Sequence, residues 1–467
     1  MDDVPILLDR TSVRPLADQI ARQLREAAGR GLLRVGERLP STRALARILG
    51  VSRTVTSAAY DQLYAEGWLT GRQGSGTFVA AVPAGAPTST ARHTPLADDD
   101  ADPPFDLRPG SPWAAGIRPD AWRRAWRAAA DVDPDARPAP AGTPQFRSVV
   151  AEQLVRSRGL SVDWTSVLAT GGTTAALGEL AAALFRPGDA VAVEEPGYPR
   201  AVETLRAYGV EVRPVPVDRN GLVVERIPAG VRGVYCTPAH QFPLGGRLPA
   251  SRRVDLVAWA RQHRAWVIED DYDGELRYDV GPLPLLASLD PEVVIYLGTS
   301  SKIVSPTLGV GWLVGPSAVI DSVLDFRLQT STRPSVAGQR VLAAFAESGD
   351  LARHLRRVRR EFAERRALVV GRLSAAGHRV HGDEAGAHVF LPLPSLAAER
   401  SVVTTAGNGG VSLDGLRRCF AGPPTTYGLT LGYAAPADQR QLSDALDALI
   451  SRLGARVISP VRQAQLH

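Results

Sequence analysis

The chain has 467 residues, 44% apolar and 22% charged, a globular composition on a length too great for one ordinary core. Two cysteines, Cys236 and Cys419, are too few for a disulfide framework, and no uncharged apolar run is long enough to span a bilayer. The acidic start Met1-Asp2-Asp3-Val4-Pro5 lacks the apolar stretch of a secretory leader, so a cytoplasmic protein is expected.

The formal net charge of +5 is small, so its placement carries the information. Pro15 to Arg30 places Leu16, Ile20, Leu24 and Ala27/Ala28 on one helical stripe, and Gly29 and Gly31 end it. A second helix opens at Pro40-Ser41, with Leu45, Ile48 and Leu49 as its expected buried face. Gly50-Val51 turns the chain, and Ser52 caps a third helix with Val55, Ala59 and Leu63 inward. Arg53, Thr54, Ser57 and Tyr60 are expected on its free face, towards the end that meets base edges in a major groove. Gly67-Trp68-Leu69-Thr70 and Gly71 to Val79 read as two strands with a Gly-rich tip. Between residues 30 and 72, seven arginines stand against Glu37, Asp61 and Glu66, and phosphate neutralisation favours that excess. A protein-docking module is the competing reading.

These phrases carry a resemblance. Leu39-Pro40-Ser41-Thr42-Arg43-Ala44-Leu45-Ala46, Gly50-Val51-Ser52-Arg53-Thr54, Ala59-Tyr60-Asp61-Gln62-Leu63 and Gly74-Ser75-Gly76-Thr77-Phe78-Val79 resemble the winged helix-turn-helix of the GntR superfamily. The resemblance implies DNA contacts by Arg43, Ser52, Arg53 and Thr54, and by Gln73 and Gly74 at the wing tip. It places a DNA-binding domain at residues 1–80. Residues 81–106 follow as a Pro-, Gly-, Ala- and Asp-rich tether without periodicity.

From residue 107 to 455, helical and strand signals alternate as in an α/β fold with a mostly parallel sheet. Val167 to Thr170 enters Gly171-Gly172-Thr173-Thr174, a glycine turn feeding a helix N-terminus and hence an anion cradle. Asp189 to Glu195 is a strand leading to Pro196-Gly197-Tyr198-Pro199-Arg200; Tyr198 can stack on a flat ring or pack as an ordinary surface tyrosine. Trp266 to Tyr272 reads as another strand, on which Asp270 and Tyr272 face the same way. Val293 to Gly298 is a further buried strand, followed by Thr299-Ser300-Ser301-Lys302. Lys302 is the only lysine in the chain; every other basic side chain that stays protonated is arginine. A desolvated lysine amine can condense with an aldehyde, whereas a guanidinium cannot. Chance survival of one lysine in an arginine-rich sequence is the bland alternative.

Glu195-Pro196-Gly197-Tyr198-Pro199, Thr237-Pro238-Ala239-His240-Gln241-Phe242-Pro243-Leu244-Gly245, Ile268-Glu269-Asp270-Asp271-Tyr272-Asp273 and Gly298-Thr299-Ser300-Ser301-Lys302 resemble a fold-type-I aminotransferase domain. With the winged helix in front, the chain is similar to the MocR subfamily of GntR regulators. The fold expected is therefore multidomain: an N-terminal α+β winged helix-turn-helix, then a C-terminal α/β PLP-dependent aminotransferase fold of type I, with residues 456–467 as a tail. The resemblance implies pyridoxal 5'-phosphate (PLP) in a Schiff base with Lys302, and Asp270 as partner of the pyridine nitrogen. It implies Tyr272 and His240 near the phenolic oxygen, Tyr198 against the ring, and Gly172, Thr173, Thr174 and Thr299 at the phosphate. Arg200 matches the position holding the effector's carboxylate in the subfamily.

The sequence departs from that pattern three times. The arginine usually found seven residues after the lysine, on the PLP phosphate, is Gly309. The tyrosine that reaches the phosphate across a dimer interface is Arg137, in Arg137-Pro138-Ala139-Pro140-Ala141-Gly142, and Arg137 of a neighbouring subunit is expected to supply the missing guanidinium, with drift in a degraded site as the alternative. The carboxylate arginine of aminotransferases is absent from Gly428 to Tyr433, with Thr430 or a neighbour in its place. The reading that follows is a homodimeric, PLP-binding transcriptional regulator. It binds a double-stranded DNA operator and senses PLP or an amine or amino acid by exchange at Lys302. A working aminotransferase with a DNA anchor, and a PLP-free dimerisation scaffold, are the alternatives.

Overall fold

The computed structural model describes residues 6–29, 31–72, 76–80, 104–278 and 284–453. Two compact units divide the chain, Met1–Asp100 and Ala101–His467. The expected tail at 456–467, most of the tether, and Gln73 and Gly74 lie outside the described residues.

In the first unit, helices Leu16–Gly29, Thr42–Leu49 and Arg53–Ala65 enclose a small core of Ile20, Leu24, Leu45, Ala59 and Leu63. Ser41 and Ser52 cap the second and third helices, accepting from the backbone N–H of Ala44 and Val55. Gly50, at φ 61°, makes the left-handed turn between them. Strands Arg38–Leu39 and Leu69–Arg72 pair antiparallel with Gly76–Val79 on either side, which completes the wing. Two expectations fail here. Ile48 is 46% exposed, because so short a helix buries only Leu45 and Ala46. Tyr60 is 1% exposed and donates to the Pro40 carbonyl at 2.8 Å, so it ties the third helix to the segment that leads into the second.

The second unit is built on an eight-stranded sheet. Its order is Val167–Thr170, Gly311–Val314, Val294–Thr299, Trp266–Asp270, Gly233–Cys236, Ala190–Glu195, Glu211–Asp218, Gly221–Leu222. The strands are parallel except Gly311–Val314 and the edge strand Gly221–Leu222. A parallel sheet covered on both faces calls for strands without polar alternation, and Val294-Ile295-Tyr296-Leu297 is buried throughout. Val294 and Tyr296 enter one core while Ile295 and Leu297 enter the other, the period of two expected of a strand. A smaller antiparallel sheet joins His388–Leu393, Tyr427–Gly432 and Asp414–Gly415. Phe105 and Asp106, assigned to the tether by composition, instead form a short strand beside Val411–Ser412.

The strand expected through Tyr272 ends at Asp270. The cause is a buried ion pair. Arg158, on helix Pro144–Arg158, grips both oxygens of Asp271 at 2.8 Å and the Gly274 carbonyl at 3.0 Å. Both side chains are 0% exposed, and Tyr296 donates to Asp271 at 3.0 Å. The guanidinium holds the chain in a turn from Asp271 to Gly274, which brings Tyr272 and Asp273 round to the cavity described below. Removing one partner of a buried pair leaves an uncompensated charge, so Arg158→Met should cost about 3–5 kcal/mol in urea denaturation. A loss below about 1 kcal/mol would mean that Asp271 is neutralised some other way.

Candidate functional site

On the winged unit, Arg43, Arg47, Ser52, Arg53 and Thr54 are exposed. Their arginines have no ion-pair partner among the described residues, so one helix-turn-helix face presents free guanidinium groups. Ser57 is only half-buried, and Tyr60 belongs to the core as described above.

On the second unit, a cavity of about 640 Å³ opens at the carboxyl ends of the parallel strands, where open α/β sheets place their ligands. Strands Val167–Thr170, Trp266–Asp270 and Val294–Thr299 each end on a lining segment. Antiparallel Gly311–Val314 begins there, its Gly311 in register with both Thr170 and Thr299. Lys302, Asp270, Tyr272, Tyr198, Gly172, Thr173, Thr174, Thr299 and Arg200 all line this one cavity.

Lys302 donates to the Gly110 carbonyl, and burial lowers the pKa of its amine against the opposing pull of Asp270 and Asp273. That favours the neutral, nucleophilic form. Asp270 is 3% exposed. Tyr235 donates to its Oδ2 at 2.5 Å, while its Oδ1 has no hydrogen-bond partner among the described residues. Burial pushes its pKa from 3.8 up to about 7, against the Tyr235 and Thr173 hydroxyls. A buried acceptor with a free oxygen suits a ligand N–H that carries positive charge. Across the cavity, helix Thr173–Leu184 starts at Thr173, behind Gly171 and Gly172. Tyr198 sets its hydroxyl 3.4 Å from Thr174 Oγ1 and its ring edge-on to Phe242. Thr299 Oγ1 donates to Ser301 Oγ at 3.0 Å and accepts from the Ser301 N–H at 3.2 Å.

Three residues singled out in the sequence do not line this cavity. His240 stands behind Tyr272 and does not line the cavity; it faces Asp273, with Nδ1 2.8 Å from Oδ2. Arg137 is exposed and does not line the cavity of its own chain. Thr430 is 1% exposed and is not among the residues that line the cavity. Gly309 does line it, at φ +55°, and a Cβ there would meet nothing within 4 Å. Open space therefore stands where the family's arginine begins.

The cavity also holds residues that sequence reading missed: Tyr235, Asp273, His388 and Arg418. Arg418 comes from the turn Leu416–Cys419 and pairs with Asp414 at 2.5 Å, so a guanidinium reaches the cavity although the strand that follows has none. No motif could mark it, because its place depends on how the smaller sheet packs.

The raised Asp270 pKa has a testable sign. From about pH 4 to about pH 7 the unfolded chain ionises this carboxyl and the folded chain does not, so stability falls through that window and the loss is complete above it. Asp270→Asn keeps an acceptor for Tyr235 and removes the charge. Its Tm gain on PLP-free protein should be larger near pH 8 than near pH 5. An equal gain at both would show that Asp270 ionises normally.

Residues 114–426 match the class I and II aminotransferase family, and residues 16–79 match the gntR family of bacterial regulatory proteins. The chain is 34% identical over 440 residues to the HTH-type pyridoxine biosynthesis transcriptional regulator PdxR of Corynebacterium glutamicum, covering 93% of this chain and 95% of that one. It is 34% identical over 471 residues to the probable rhizopine catabolism regulatory protein MocR of Rhizobium meliloti, covering 96% and 95%. Among solved structures, the kynurenine aminotransferase of Pyrococcus horikoshii superposes with a TM-score of 0.68 at 24% identity, over 76% of this chain and 91% of that one. The last likeness concerns the fold. No described helix is long and apolar enough to cross a membrane. The chain belongs to the MocR/PdxR-type GntR regulators, helix-turn-helix transcription factors that carry a fold-type-I, class I and II aminotransferase domain.

Proposed function

We propose that this regulator binds PLP in the larger unit at Lys302, reads PLP itself or an amine that competes for it, and binds operator DNA as a homodimer. One observation carries the reading: the chain's single lysine, its amine desolvated, shares a cavity with a buried carboxylate whose second oxygen has no hydrogen-bond partner among the described residues. When bound, PLP supplies an aldehyde to which a lysine or an effector amine can be joined in turn. Asp270 would hold the pyridine N–H, and Tyr272 the phenolic side. Gly172, Thr173, Thr174 and Thr299 would hold the phosphate at a helix N-terminus. Arg200, exposed at the start of helix Pro199–Ala207, would take an effector's carboxylate.

Gly309 bears on which signal is read. A charge-assisted contact worth about 1.5–3 kcal/mol is missing from its usual place. A looser phosphate grip makes PLP exchangeable, and the pyridoxine in the name of one relative points the same way. Arg137 from a second subunit is the proposed compensation. A working aminotransferase is the second reading, favoured by the intact ring-binding residues. Moving a two-state regulator from 1:99 to 99:1 needs a ligand preference of ~10⁴-fold, which a bond-exchanging ligand can supply.

Titrating the protein with PLP and following visible absorption tests this. Wild type should gain a band that Lys302→Ala lacks, and Arg137→Ala should bind about 10–100-fold more weakly. No band in wild type would remove PLP from the function, and an unchanged Arg137→Ala would remove that residue from the site. Sustained turnover of an amino acid with a keto acid would make it an enzyme. On duplex DNA, Arg53→Ala should lower the slope of log affinity against log salt by about 1; an unchanged slope would take Arg53 off the phosphates.

A further inference from the structure

Behind Tyr272 two histidines lie side by side. His240 and His388 are 2% and 3% exposed, with ring centroids 4.6 Å apart and planes tilted by 40°. Each ring has one nitrogen engaged. His240 Nδ1 lies 2.8 Å from Asp273 Oδ2 and 3.1 Å from the Tyr272 hydroxyl, and with Asp273 accepting as a carboxylate the proton is on Nδ1. His388 is hydrogen-bonded to the Pro243 backbone, which has a carbonyl and no N–H. Both Nε2 atoms are therefore bare lone pairs, and neither has a hydrogen-bond partner among the described residues.

A buried acceptor without a donor is unfavourable, and here two are adjacent. An imidazole whose far N–H is held by a carboxylate or a backbone carbonyl is oriented as metal-binding histidines are. The backbone makes room for it. Gly386 has φ +67°, and a Cβ there would stand 2.2 Å from His240 Cε1, so only glycine lets the ring lie where it does.

We propose that His240 and His388, with Asp273 orienting His240, form a site for a divalent transition-metal ion, zinc above all, beside the ligand cavity. One ligand atom from each residue lies within 4.8 Å of the others, and ring rotation must close the imidazoles to the ~2.0–2.1 Å of zinc–nitrogen bonds. Two imidazoles and no thiolate suit zinc, copper or nickel better than calcium or magnesium. Asp273 and His388 line the cavity, which gives the ion its route in and leaves its open positions to solvent or to a donor atom of a bound ligand. The site stands whether or not PLP is that ligand.

The test is zinc content of the full-length protein after equilibration with chelator-buffered micromolar zinc. Wild type should hold about one zinc per chain (two protein ligands and open positions). His388→Ala should lose it, and His263→Ala, altered at an exposed histidine stacked on Trp259, should keep it. Should His388→Ala fail to fold, His388→Gln takes its place. Wild type without zinc, or zinc that survives loss of the His388 imidazole, overturns the proposal; an ordered donor serving both Nε2 atoms would then be the occupant.

Discussion

Two neighbouring aspartates at the end of one strand set the terms for the larger unit. Asp270 is the last residue of the strand and Asp271 the first of the turn, and they meet different partners. Asp271 meets Arg158 in a pair with both side chains 0% exposed. Asp270 meets hydroxyls and no cation, with Tyr235 donating to its Oδ2, and its Oδ1 has no hydrogen-bond partner among the described residues. The first arrangement anchors the turn that follows. The second leaves a buried acid poised for a cation. Were the partners exchanged, the turn would lose its anchor and the cavity its charge.

The other cavity elements follow from the parallel sheet. Strands that run the same way end at the same edge, so segments far apart in sequence deliver side chains to one place. The glycine turn after Thr170, the turn after Asp270 and the hydroxyl-rich turn after Thr299 meet there because their strands are close neighbours in the sheet. A desolvated amine, a buried carboxylate and a helix N-terminus then face one volume. Each is unfavourable or idle alone, and a ligand with an aldehyde, a ring nitrogen and a phosphate would satisfy all three. At Gly309 the lining is open, since a Cβ there would meet nothing within 4 Å.

The residues legible in advance were those marked by local chemistry. Serine caps at Ser41 and Ser52, the left-handed glycine at Gly50 and the unbroken apolar strand before Thr299 depend on a few adjacent residues, and the structure has them there. Errors came where a side chain's fate depended on something distant. Tyr60 looked like part of a free helix face, yet the Pro40 carbonyl draws it inward. Tyr272 looked like a strand residue, until Arg158, more than a hundred positions away, turned the chain. His240 was expected at the cavity wall, but Asp273 holds it one layer behind.

By itself, the sequence determined the family, the two-part architecture, the single lysine able to bond an aldehyde, and the missing arginine at Gly309. These are matters of residue identity and short spacing. Only the tertiary structure decided that Tyr235 bonds Asp270, that Arg418 reaches the cavity, and that His240 and His388 lie ring to ring, each with an Nε2 that has no partner among the described residues. Such contacts join strands and turns whose register no local pattern encodes. They exist because burial forces polar groups from separate elements into a common space, where each must find a partner or wait for one.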